Sequence, residues 1–151
     1  MPVNMKLGAK NVMRSLYRNS FFINIHTLQF NLPKNDSKYH WTQHCIRKML
    51  FYGLTADRVK RIIRNPKRVE NGVAENTIAV MSPGTNKKKP TEIWAMYAAA
   101  KPRTQNSKFK IQNSRFIIIS AWRYPGISPV GKKIPIPDDI LDELRKDGVV
   151  L

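Results

Sequence analysis

His40, His44 and Lys48 recur four residues apart, so on a helix they share one stripe. Two histidines at that spacing can reach one ligand. A zinc site would need further Cys or acidic ligands at suitable spacing, and none is evident, so neither a metal nor another cofactor is expected. What remains is proton transfer, because a histidine titrates near neutral pH. Arg47 and Lys48 flank His44 and disfavour its positive form, which suits a base. The bland alternative is a pair of boundary histidines with no chemistry.

A second set is Arg58, Lys60, Arg61, Arg64, Lys67 and Arg68, with only Asp57 nearby. A solvated helix face usually mixes acids with its bases. An unbalanced one is better explained by phosphate contacts, which position a nucleic acid without reading its sequence. A third set lies in Arg115-Phe-Ile-Ile-Ile-Ser-Ala-Trp-Arg-Tyr124. There Trp122, Arg123 and Tyr124 lie at the strand end, where Arg123 suits a phosphate clamp and Trp122 or Tyr124 suits base stacking. The structural alternative for Trp122 is an aromatic at a sheet edge. Lys87, Lys88 and Lys89 add a basic knot in a loop.

These residues need elements to hold them. Cys45, Met49 and Tyr52 fall on one helical face, which Trp41 extends by a turn, so the first helix is expected from about His40 to Gly53. Gly53 suits a left-handed stop, Thr55 an N-cap, and Asp57 the positive end of a second helix. Ala56, Val59, Ile62 and Ile63 form that helix's buried face, and Asn65-Pro66 ends it. Asn71-Gly72 marks a turn. Strands are expected at Thr77–Met81, Glu92–Ala99, Lys108–Ile111 and Arg115–Tyr124, with polar loops at 82–90 and 101–107. Asp138–Lys146 reads as a short amphipathic helix with acids first and bases last. Two helices followed by antiparallel strands imply an α+β domain, helices on one face of a sheet of three to five strands.

The chain divides by charge. Its 151 residues carry a net +17, which calls for an anionic partner, nucleic acid first and an anionic membrane surface second. Residues 1–36 read as a basic arm, with Lys6, Lys10, Arg14 and Arg18 four apart on an amphipathic helix and an extended stretch after it. A transit peptide is a second reading, but the arm is poor in Ser and Arg. Residues 37–126 form the basic body, eighteen cations against four acids. Residues 127–151 are a Pro- and Gly-rich linker and a mildly acidic helix. The single cysteine, Cys45, rules out an intrachain disulfide and fits a reducing cytoplasm; it reads as core rather than nucleophile. No apolar run approaches the length of a membrane span.

The stretch from Arg47-Lys48 through Gly53-Leu-Thr55 to Asn65-Pro66, followed by Arg115 to Arg123 with its Ile-Ser-Ala core, resembles the BrnT and RelE-like small toxins over roughly residues 38–126. The resemblance implies two helices packed on a twisted antiparallel sheet, a metal-independent ribonuclease activity and a neutralising antitoxin partner. By it, Lys48 and His44 stand where a basic site residue belongs, and Arg115 and Arg123 lie on the strand that supplies arginine. The arm before residue 37 and the tail after Gly126 are extra to that compact fold.

Three functions follow. In a ribonuclease, His44 or Lys48 takes the proton of an RNA 2′-hydroxyl. Arg115 and Arg123 steady the phosphorane, and Tyr97, Tyr124 or His40 assists the leaving group. In a binding module without chemistry, the same cations hold RNA or DNA, with His40, Arg47, the Lys87–Lys89 loop and Trp122. In a protein-interaction role, the acidic helix 138–146 folds back onto the basic face, or a partner covers it.

Overall fold

Among the described residues, a threonine hydroxyl starts each of the first two helices. Thr42 caps α1 (Gln43–Tyr52) by accepting from the Cys45 amide at 3.1 Å, and Thr55 caps α2 (Ala56–Arg64) by accepting from the Arg58 amide at 3.2 Å. Gly53 between them adopts φ 64°, the left-handed conformation that a Cβ would strain, and the Leu54 amide closes the helix end onto the Met49 carbonyl. The Thr55 cap and the Gly53 stop lie where residue types place them. The start of α1 does not, because Thr42 is extended, and this cuts His40 and Trp41 off the helix.

The computed structural model describes residues 31–100 and 115–151. The basic helix read in the arm, almost all of its extended stretch, the 101–107 loop and the strand read at 108–111 lie outside the described residues.

Among the described residues five strands form one sheet: β1 (Tyr39–Trp41), β2 (Arg68–Asn71), β3 (Ile78–Pro83), β4 (Thr91–Ala100) and β5 (Arg115–Pro125), in the order β1-β5-β4-β3-β2. Four neighbouring strands run antiparallel, but β1 pairs parallel with β5, Tyr39 beside Phe116 and Trp41 beside Ile118. The sheet is therefore mixed, which corrects the all-antiparallel expectation. Tyr-His-Trp buries alternate residues, Tyr39 and Trp41, as a strand does. The same aromatics also fit a helical stripe, and only the cap at Thr42 decides between them.

Each face of the sheet carries its own core. Cys45 and Met49 of α1 and Val59 and Ile62 of α2 pack on Val80, Ile93, Ala95 and Ile118. The opposite face holds Trp94 and Trp122, cross-strand partners stacked nearly parallel with centroids 6.2 Å apart. Ile134 of the tail and Ile140 and Leu144 of α3 (Asp138–Lys146) cover them. The two N-terminal helices share one face as their apolar patterns imply, and the tail supplies the other layer.

One irregularity aims a side chain. Met96 pairs with Ser120 but Tyr97 pairs with Ile118, so Ile119 is an extra residue in β5. Such a bulge shifts the alternation by one. Ile118 faces the α1–α2 core, while Ser120, two residues on, turns to the tryptophan face. Thr42 locks the bulge by donating to the Ile118 and Ile119 carbonyls at 3.1 and 2.9 Å.

Candidate functional site

The stripe at His44 and Lys48 meets α3. His44 Nε2 lies 3.0 Å from Ser120 Oγ, and Nδ1 lies 3.1 Å from Glu143 Oε2. An ionised carboxylate only accepts, so in neutral His44 the proton sits on Nδ1 and Nε2 accepts from the serine hydroxyl. Burial holds the His44 pKa below its ordinary value, and Lys48 and Arg47 add to that; Glu143 opposes it. Glu143 is held below the usual carboxylate range, chiefly by the hydrogen bond from Lys48.

Lys48 is 7% exposed and spans two carboxylates, 2.6 Å to Asp139 and 2.8 Å to Glu143. Burial pulls its pKa down, but these hydrogen bonds outweigh it and the net shift is upward. Arg47 reaches Glu143 at 3.6 Å and Asp147 at 3.5 Å. The acidic helix has thus folded back on a basic surface, that of α1.

Ser120, His44 and Glu143 stand in the order of nucleophile, base and orienting acid. Ser120 is wholly buried, however, and His44 is 3% exposed, so no substrate reaches Oγ in this arrangement. Here the chain of hydrogen bonds ties α1, β5 and α3 together. Sequence reasoning pointed to His44 and Lys48 but missed Ser120, Asp139 and Glu143. An Ile-rich strand conceals a serine whose direction depends on a bulge, and α3 lies some ninety residues downstream of α1.

The structure does not bring the other residues of the proposed ribonuclease site to this place. Arg115 is exposed at the start of β5 and Arg123 lies near its end, roughly 26 Å along an extended chain. Arg123 pairs with Ile93 and faces the α1–α2 side, whereas Tyr124 packs on the tryptophan side. His40 sits on β1. Trp122 is wholly buried against Trp94 and donates to the Pro135 carbonyl at 2.8 Å, leaving neither ring face open to a base. Arg68 is turned inward, bonding Glu70, the Ser128 hydroxyl and the Pro129 carbonyl, with its guanidinium 5.2 Å from the Trp94 ring.

A different group of cations is open. Arg61, Arg64 and Lys67 are exposed, and among the described residues they form no ion pair; nor do Arg58, Arg123 or the exposed Lys87, Lys88 and Lys89. On α2 the arginines at 58, 61 and 64 cover an arc of about 120°. Lys60 leaves this group, reaching Asp36 at 3.4 Å and lying over the Tyr39 ring. Arg58 donates to the Pro83 carbonyl at 2.8 Å, which fixes the start of α2 to the hairpin that carries the three lysines.

No protein-family model, curated protein or solved structure matches the chain. Among the described residues, no helix is long and apolar enough to cross a membrane.

Proposed function

We propose that this protein binds RNA through its phosphate backbone, using Arg61, Arg64 and Lys67 along α2 and the Lys87–Lys89 hairpin. One observation carries this reading: the acids of α3 neutralise the cations of α1, while among the described residues Arg61, Arg64 and Lys67 form no ion pair and Asp57 is the one acid on α2. Unbalanced charge of this kind opposes folding and is relieved by a polyanion. The resemblance to BrnT and RelE-like toxins supports RNA as that polyanion. It also supports cleavage at the 2′-hydroxyl and an antitoxin-like partner. Cleavage would require His44 or Lys48 to meet RNA, and both are covered by α3, so binding is the reading better supported.

The test is a titration of the full chain with labelled RNA in chelator across a salt series. Affinity should fall steeply with salt. Changing Arg61, Arg64 and Lys67 to Gln should flatten the log–log slope by about 0.7 for each phosphate no longer neutralised. An unchanged slope would overturn the assignment to α2. Product accumulating on ordinary RNA but not on its 2′-deoxy counterpart would replace binding with catalysis.

A further inference from the structure

Two arginines, Arg58 and Arg123, lie at the end of the sheet where α2 begins. Arg123 lies on β5 opposite Ile93, and Ile93 lies opposite Ser82 of β3, so the three form one rung across the sheet. Ile93 belongs to the core beneath the helices, which places Arg123 on the side that α2 covers. Arg58 in the first turn of α2 reaches the Pro83 carbonyl, one residue beyond that rung. The two arginines therefore stand at the same end of the sheet, on the face that carries the helices.

Neither forms an ion pair among the described residues, Asp57 beside Arg58 included. Glu92, beside this rung, points to the other face, where it accepts from Trp94 Nε1 and the Ser128 amide. Burial lowers the Arg123 pKa and Arg58 lowers it further. The group still stays charged at any physiological pH. Two like charges thus stand near enough for Arg58 to disfavour the charged form of Arg123, itself partly buried, at the end of the sheet where a nine-residue helix begins. Such an arrangement opposes folding unless an anion joins it. Paired guanidinium forks match the oxygens of a phosphoryl group in geometry and in charge.

We propose that Arg58 and Arg123 form a clamp for a single phosphoryl group, fixing one phosphate of the RNA whose neighbours run along α2 and the Lys87–Lys89 hairpin. This rests on the RNA-binding reading and adds to it a defined subsite. The outer face of α2 supplies diffuse attraction. The clamp supplies a fixed point, because Arg123 is carried by β5 where it pairs with β4 and Arg58 is tethered at Pro83.

The probe is inorganic phosphate, titrated into the full chain at constant ionic strength against chloride. Phosphate stabilises many proteins by exclusion from their surface, so the readout is the difference in Tm response between wild type and Arg123→Gln. Wild type should show a saturable rise, and Arg123→Gln should weaken apparent phosphate affinity about tenfold or more. In chloride, Arg123→Gln should melt no lower than wild type, since a repelled charge has been removed. Arg58→Lys, which keeps the charge but loses the fork, should also weaken phosphate. An identical phosphate response in wild type and both variants overturns the clamp, as does no saturable response in wild type. RNA binding by wild type without the phosphate response removes the clamp alone. A phosphate response without RNA binding removes the RNA reading alone. A 5′-phosphorylated oligonucleotide competing better than its dephosphorylated twin assigns the clamp to a terminal phosphate, and equal competition assigns it to the backbone diester.

Discussion

His44 shows how one residue type fits two roles until its neighbours are known. Four-residue spacing to Lys48 and flanking cations pointed to a base. Those features are present, but the ring is buried between Ser120 and Glu143 and acts as an internal link. Its depressed pKa sets a pH dependence with a definite sign. Below about pH 6.5 the unfolded histidine takes up a proton that the folded one resists. Stability from this source is therefore present above that pH and is lost as pH falls through the folded pKa. Melting curves between pH 7 and pH 5 should fall more steeply for wild type than for His44→Gln. Parallel curves would mean that His44 is not the group responsible. Trp122 carries the same lesson. An aromatic near a strand end suits base stacking or packing, and only the register with Trp94 selects packing.

At the scale of elements, local signals held and distant ones did not. Thr55, Gly53, Asn65-Pro66 and the Ile-rich β5 could be read because capping, left-handed backbone and strand burial act over a few residues. The parallel pairing of β1 with β5 was hidden, since it joins segments more than seventy residues apart. So was the work of the tail. Its Pro-rich stretch and short helix read as an appendage, yet Ile134, Ile140 and Leu144 close the second core over both tryptophans. Ile140 is wholly buried, so Ile140→Ala should cost about 2–5 kcal/mol from lost transfer energy and the cavity left behind. Urea unfolding followed by tryptophan fluorescence measures this directly. A loss well under 1 kcal/mol would show α3 to be loosely attached.

For the molecule as a whole, the charge total was legible but its division was not. Composition gives the excess of positive charge without saying which cations are free to meet an anion. Folding sorts them. Asp139, Glu143 and Asp147 neutralise α1, Asp36 takes Lys60 and Glu70 takes Arg68, while Arg61, Arg64 and Lys67 form no ion pair among the described residues. Arg47 and Arg64 provide a matched comparison. Both are exposed helix arginines of one charge, but Arg47 has two carboxylates within 4 Å and Arg64 has no ion pair among the described residues. The decisive measurement is the RNA affinity of Arg64→Gln beside that of Arg47→Gln at low salt, by fluorescence anisotropy. Arg64→Gln should weaken binding several-fold while Arg47→Gln leaves it unchanged; equal losses, or a greater loss at Arg47, would contradict this division of charge.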